Sequence, residues 1–312
     1  MKNFQQILPR GASAMNRSAV VLVCVAVVAV GACRQKAPPE PGVATPAVSL
    51  NRERVPLGSP LEIAYRFQVA PTAPVLKQDY KVFVGVVDSD GELMWTDDHD
   101  PSIPTSQWKP GQRIEYTRTV FVPVYPYIGE ASFRMGLYSL ADQKRVALTG
   151  DDAGQRAYRV AKVQLVPQSE NVLVMYKDGW HPAEGAPNNP KVEWQWTKKQ
   201  ATLAFKNPKR DSLFYLEVDN ASRAFPEGQH VQLALAGQRV EEFLVQPGPP
   251  QLRRIRLSQS LLGSADTVEM QIGVDKTFVP ALLPASNSKD PRELGVRVFH
   301  AAIVPAPENQ ER

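Results

Sequence analysis

The chain has 312 residues, with 36 basic and 32 acidic side chains, a formal charge of +4 and a pI near 9.0. That length suits two medium domains rather than one small one. A hydrophobic share of 43% excludes a disordered polymer, and two cysteines exclude a disulfide-dense scaffold or a zinc ribbon. Twenty-eight prolines against nineteen glycines favour loops and strand edges over helix interiors, which reject proline.

Residues 1–32 read as an export leader. Arg10 and Arg17 precede Ser18 to Ala32, an unbroken run of apolar or small residues, and no carboxylate comes before Glu40. The run is short of the roughly 20 residues that cross a bilayer but suits a signal-peptide core. It ends Val30-Gly31-Ala32-Cys33: an aliphatic residue, two small ones and a cysteine. That order resembles the lipobox of bacterial lipoproteins, which implies cleavage before Cys33 and a diacylglycerol on its sulfur. Met1 and Met15 both stand as possible starts of such a leader. Its loss removes Lys2, Arg10 and Arg17, leaving 33 basic against 32 acidic side chains. The basic excess, and with it the case for a nucleic-acid partner, belongs to the leader. Cys24 leaves too, so the mature chain has no free thiol. Residues 33–47, with Arg34 to Ala47 rich in proline and alanine, read as a lipidated cysteine followed by an extended tether.

Beyond the tether the apolar period is two. Leu61, Ile63, Tyr65, Phe67 and Val69 alternate with polar or small residues, as in a half-buried strand. Tyr80 to Val87, the turn Asp88-Ser89-Asp90-Gly91 and Glu92 to Trp95 read as a hairpin. Further strands are expected at Ile114–Val122, Ala131–Leu140 and Tyr158–Val166. Seven or so strands over residues 48–166 predict an immunoglobulin-like β-sandwich. After Val166-Pro167-Gln168-Ser169 a second set begins. It comprises Val172–Tyr176, Val192–Thr197, Ala201–Lys206, Leu213–Val218, Val231–Leu235, Val240–Val245, Leu252–Leu257, Val268–Val274 and Gly295–Val304. Ala236-Gly237 closes one hairpin, and Ser258–Gly263 suits a single helical turn. Nine strands over residues 168–304 predict a jelly-roll-like sandwich, with 305–312 as a disordered tail. The fold class is therefore all-β, two tandem sandwiches.

The segments Asp98-His99-Asp100-Pro101, Pro104-Thr105-Ser106-Gln107-Trp108-Lys109-Pro110-Gly111 and Gly136-Leu137-Tyr138 follow a D-x-P, P-T-x-x-W-x-P-G, G-x-Y pattern. In this the first half is similar to β-sandwich modules that accompany bacterial membrane glycosyltransferases. The second half, with Asp178-Gly179-Trp180-His181-Pro182-Ala183-Glu184 and Glu193-Trp194-Gln195-Trp196-Thr197, resembles another sandwich module from the same surroundings. The resemblance implies a fold and an envelope setting. It implies no catalytic residue.

Catalytic templates are missing: the sequence has no G-x-S-x-G, no H-E-x-x-H, no P-loop and no G-x-G-x-x-G. Carboxylate pairs within Asp97, Asp98 and Asp100, or Glu184 with Glu193, could in principle serve glycan hydrolysis. Acids at strand ends are more commonly turn formers. Asp97, Asp98 and Asp100 are also a metal candidate, although without EF-hand spacing. Aromatic faces near acids suit sugar stacking, which singles out Trp108, Trp180, His181, Glu184, Trp194 and Trp196. Against this, Trp194 and Trp196 share one strand face with Val192 and read as a core face. Trp180 lies in a loop, where binding residues concentrate.

The expectation is a lipid-anchored, non-enzymatic envelope protein that binds polysaccharide or a glycan-assembly partner, without a cofactor. Arg34, in place of the aspartate that retains lipoproteins at the inner membrane of some bacteria, favours the outer membrane. A carboxylate-based glycan enzyme and a purely structural envelope protein are the alternatives.

Overall fold

A computed structural model describes residues 40–220, 224–283 and 287–307. The leader, Cys33, the first part of the tether and residues 308–312 lie outside them. Nine strands build the first sandwich: β1 (Ala44–Leu50), β2 (Arg54–Pro56), β3 (Pro60–Val69), β4 (Lys81–Val87), β5 (Leu93–Thr96), β6 (Arg113–Phe121), β7 (Gly129–Tyr138), β8 (Asp151–Asp152) and β9 (Tyr158–Val166). One sheet runs β1-β3-β6 and the other β2-β9-β7-β4-β5, with β8 beside β9. After β1 pairs with β3, β2 crosses to the opposite sheet and runs parallel to β9. This partition is that of an immunoglobulin-like sandwich.

β1 corrects the expected tether. Residues 44–47 are strand, and Val43 and Ala44 are buried, with Val43 N–H donating to Ala147 O at 2.9 Å. Pro46 is tolerated because β1 is an edge strand, where a missing N–H breaks no inner ladder.

The core forms as the period of two predicts. Leu61, Ile63, Tyr65, Phe67 and Val69 of β3 meet Val82, Val84 and Val86 of β4 and Phe133, Met135 and Leu137 of β7. A polar latch joins the two sheets where β6 and β5 form their edges. Arg118 grips Asp97 through Nε (3.0 Å) and Nη2 (2.8 Å), and the buried Tyr65 hydroxyl donates to the same carboxylate at 3.0 Å. Buried His99 donates from Nδ1 to Asp97 O at 2.6 Å and accepts the Tyr116 hydroxyl at Nε2 at 2.8 Å.

Burial holds the His99 imidazole below its ordinary pKa. The unfolded chain therefore takes up a proton near pH 6.5 that the native state resists. The stabilisation is complete above that pH and is lost as the pH falls below it. The thermal midpoint should drop between about pH 7 and about pH 5, and His99→Gln should flatten this slope. Parallel wild-type and variant profiles would show that His99 is not the group responsible.

The second sandwich comprises β10 (Val174–Tyr176), β11 (Glu184–Ala186), β12 (Asn189–Trp196), β13 (Gln200–Lys206), β14 (Ser212–Asp219), β15 (Gln229–Leu235), β16 (Gln238–Val245), β17 (Gln251–Leu257), β18 (Thr267–Val274) and β19 (Arg297–Pro305). Its sheets run β10-β13-β18-β15-β16 and β11-β12-β19-β14-β17. Setting aside the short strands β10 and β11 and counting from β12, the orders are 2-7-4-5 and 1-8-3-6. These are the two interlocked Greek keys of a jelly roll. Ala236 and Gly237, both at positive φ, close the β15–β16 hairpin. Gln259–Leu262 forms one helical turn, with Ser258 as its cap and Gly263 at its end. The tail begins later than expected, because β19 runs to Pro305 and Ala306 N–H donates to Asp211 O at 2.8 Å.

The two cores are distinct, but the sandwiches touch. Tyr215 points away from its own core, donates to Glu62 Oε1 on β3 at 2.8 Å and is only 2% exposed. Arg254 Nε pairs with the same Glu62 oxygen at 3.1 Å. The rings of Phe121 and His300 stack at 4.1 Å. The first sandwich thus covers part of the outer face of the β11-β12-β19-β14-β17 sheet.

Candidate functional site

A cleft lies on the outer face of the first sandwich, over β4 and β7. Val82, Val84, Val86 and Leu137 face inward, so Phe83, Gly85, Gly136 and Tyr138 face outward. In register, Tyr138 opposes Lys81, Gly136 opposes Phe83, and Arg134 opposes Gly85. Two glycines among these positions leave a trough. A Cβ on Gly136 would stand 2.4 Å from Phe83 Cε1 and 2.6 Å from Arg156 O. Glycine therefore lets both the ring and a loop lie against the strand.

That loop carries Gln155 and Arg156 at φ 55° and 56°, consecutive left-handed residues that cost energy outside glycine. Arg156 spans its rim, donating to Arg145 O and, at 2.6 Å, to Glu40 Oε2. Arg145 Nη1 donates to Gln155 O at 2.9 Å, and its guanidinium lies over the Phe83 ring, 4.0 Å from the centroid. Tyr138 packs at 6.4 Å from Phe83. Desolvation, and then the neighbouring Asp98 carboxylate, raise its phenol pKa. Asp98 Oδ1 accepts Val84 N–H at 3.2 Å.

The main hollow is about 1100 Å³, bounded by Tyr80, Phe83, Asp98, Tyr138, Arg145 and Arg156. A second hollow of about 520 Å³ shares Phe83, Asp98, Arg145 and Gln155, and continues over Gly85 to Leu93 and Arg134. The result is an open trough with aromatic walls, flat cationic groups and two carboxylates, Asp98 and Glu40.

No protein-family model matches the chain, and no curated protein does. Among solved structures it is similar to the Bacteroides ovatus mixed-linkage glucan utilization locus protein SGBP-B in complex with a heptasaccharide. That likeness has 10% identity and a TM-score of 0.24, covering 81% of this chain and 51% of that one. The CBM51-2 and INT domains of Clostridium perfringens ZmpB, in complex with GlcNAc, match at 11% identity and a TM-score of 0.23, over 82% of this chain and 40% of that. The Pseudomonas fluorescens alkylpurine DNA glycosylase AlkC, bound to DNA with an abasic-site analogue, matches at 12% and 0.25, over 40% and 30%. This chain thus spans between about a third and half of each of these proteins. Such scores do not describe a common superposed fold, and what these proteins bind does not bear on this chain.

The residues singled out in the sequence are distributed differently. Trp108 is a core residue rather than a binding platform: it is 5% exposed, packs on Phe67 and donates its indole N–H to Ile103 O at 2.9 Å. Trp180 pairs with the buried Thr197, so it points inward. There it packs against the second core and donates to Thr202 O at 2.8 Å. The pair expected in a core, Trp194 and Trp196, instead lies half-buried on the outer sheet face. Glu184 is the cross-strand neighbour of Trp194 and pairs with Arg292 at 2.7 Å. His181 Nε2 bonds Glu293 O at 2.8 Å. Arg297 lies over Trp194, Trp196 and Phe299, at 4.9, 5.6 and 5.4 Å from their centroids. It is also tied to Asp219 by Nε at 2.7 Å. Ring faces covered by a tethered arginine form cladding for the sheet rather than an empty platform.

The acids also separate. Asp97 is spent on Arg118 and Tyr65, Asp98 turns to the cleft, and Asp100 pairs with Lys81 at 3.4 Å. Among the described residues no group of three or more potential metal ligands comes together. Glu184 and Glu193 fall on alternating strand positions, with Glu193 opposite Gly185. They therefore point to opposite sides.

The cleft residues Phe83, Tyr138, Arg145 and Arg156 were not singled out in the sequence. The alternation Lys81-Val82-Phe83-Val84-Gly85 already sets Phe83 against the valine face, and Gly136-Leu137-Tyr138 does the same for Tyr138. The two arginines lie on loops whose fold-back has no local signature.

Proposed function

We propose that this chain is a non-catalytic glycan-binding protein of the cell envelope, anchored through a lipid on Cys33, and that the trough over β4 and β7 holds the saccharide. The observation that carries this reading is the open trough itself. In it Tyr138 and Tyr80 supply apolar ring surface, while Arg145, held in place over the Phe83 ring, and Asp98 supply a donor and an acceptor for hydroxyls. Of the two carboxylates that line it, Glu40 is held by Arg156, and Asp98 accepts Val84 N–H with one oxygen. That favours holding a sugar over cleaving one, since hydrolysis needs a proton-donating acid and a second free carboxylate.

The test is calorimetric titration of the mature chain against a panel of neutral and charged polysaccharides, with reducing ends measured in parallel. Binding without release of reducing ends is expected, weakened about tenfold or more by Phe83→Ala or Tyr138→Ala. Trp194→Ala should bind as the wild type does. Loss of binding in Trp194→Ala alone would move the site to the second sandwich. Release of reducing ends abolished by Asp98→Asn would make the protein an enzyme.

A further inference from the structure

Resting on the trough as a saccharide site, we infer that the sugar it prefers carries a carboxylate, as a uronic acid does, seated over Gly85 between Arg134 and Arg145. Gly85 forms the floor of the second hollow, and of its surroundings only Leu93 Cδ1, at 3.2 Å, comes near the space a Cβ would fill. Arg134 projects from the neighbouring strand directly opposite Gly85, and Arg145 reaches the same hollow from the facing loop.

These two cations differ from the others along the trough. Arg156 is neutralised by Glu40 at 2.6 Å and Lys144 by Asp142 at 3.0 Å. Among the described residues, neither Arg134 nor Arg145 has a carboxylate within ion-pair distance. Arg134 Nε has no hydrogen-bond partner among the described residues, so no protein group has taken that donor. Arg145 has one N–H on Gln155 O and its plane on Phe83, which fixes the fork and leaves its other donors for a ligand. Asp98 also borders the hollow, but its Oδ1 already accepts Val84 N–H and it adjoins the Tyr138 hydroxyl. Two arginines held on either side of a bare glycine floor suit a planar anion taken by charge-assisted hydrogen bonds.

The experiment compares oligogalacturonides with the same oligomers fully methyl-esterified, titrated calorimetrically into the mature chain at low and moderate salt. The free acid should bind at least about tenfold more tightly than the ester, since hydrogen bonds to a charged group are stronger than those between neutral groups. The preference should shrink with salt. Arg134→Gln should cut binding of the acid about tenfold while leaving the ester unchanged, and Arg145→Gln should weaken both, the acid about tenfold more than the ester. Equal affinity for acid and ester in the wild type would overturn the inference without involving any variant. Binding of neutral glucans that exceeds binding of the acid would overturn it while leaving the trough as a saccharide site. Tight binding of dextran sulfate with none of the oligogalacturonide would overturn the carboxylate assignment in favour of a sulfated sugar. Failure of every saccharide to bind would remove both this inference and the function on which it rests.

Discussion

Gly179→Ala is expected to unfold the second sandwich, at a cost of about 4 kcal/mol or more. The chain changes sheets at this residue. Before it, Lys177 N–H donates to Thr202 O at 2.9 Å and Asp178 O accepts Thr202 N–H at 2.9 Å, pairings with β13. After it, Gly179 O accepts Lys198 N–H at 2.8 Å and His181 N–H donates to Trp196 O at 2.9 Å, pairings with β12 and its end. The corner is made at φ +83°, and a Cβ there would stand 2.0 Å from Gln200 O and 2.7 Å from Ala201 Cα. Both atoms are backbone, so no rotamer change makes room. A left-handed φ adds about 1–2 kcal/mol of strain for any other residue. Relaxation must then displace Trp180, whose ring caps the second core from this corner. Urea unfolding followed by tryptophan fluorescence measures the loss. An unfolding free energy within about 0.5 kcal/mol of wild type would mean that the corner is not so tightly packed.

That corner shows where sequence reading succeeds and where it stops. Asp178-Gly179-Trp180-His181 is recognisable as a turn because glycine and aspartate punctuate it. Its direction, from one sheet to the other, depends on which strands it later meets. β3 is the opposite case: from Leu61 to Val69 its five buried residues alternate without interruption, and the pattern alone identifies them. β1 fails in the same reading because Pro46 and the alanines around it lack apolar bulk, although an edge position accepts them.

The tryptophans separate parity from partner. That Trp194 and Trp196 share a face follows from spacing, and they do. Which face is the core depends on what covers the other side. Here the outer face of that sheet is partly apolar too, because the first sandwich lies over Tyr215 and an arginine lies over the tryptophans. The trough was half-legible for the same reason. Phe83 and Gly136 can be placed on the outer face from alternation, but their pairing across strands comes only with the register. Arg134 and Arg145 meet over Gly85 through a tertiary arrangement that no single segment encodes.

The other large effect is expected at Arg297. Its guanidinium grips Asp219 with Nε at 2.7 Å on one oxygen and Nη2 on the other, and the Asp219 side chain is only 3% exposed. Burial already raises the pKa of this carboxyl despite the arginine. Arg297→Met would leave an uncompensated buried carboxylate. Breaking a fully buried pair costs about 3–5 kcal/mol. Because the Arg297 side chain is 30% exposed, screening reduces this to about 2–3 kcal/mol. Asp219→Asn in the Arg297→Met background removes the stranded charge and should recover more than half of the loss. The sign with pH follows from the raised carboxyl. The native state takes up this proton at higher pH than the unfolded chain does, so the deficit of Arg297→Met should shrink as pH falls from about 7 towards about 4.5. Equal deficits in the single and double variants, at every pH, would place the effect in lost contact with Trp194, Trp196 and Phe299 instead. The double variant also tests the saccharide site, because it uncovers those rings while keeping the sheet folded. If the trough over β4 and β7 is where sugar binds, saccharide affinity should be unchanged in a protein whose tryptophan face has been laid bare.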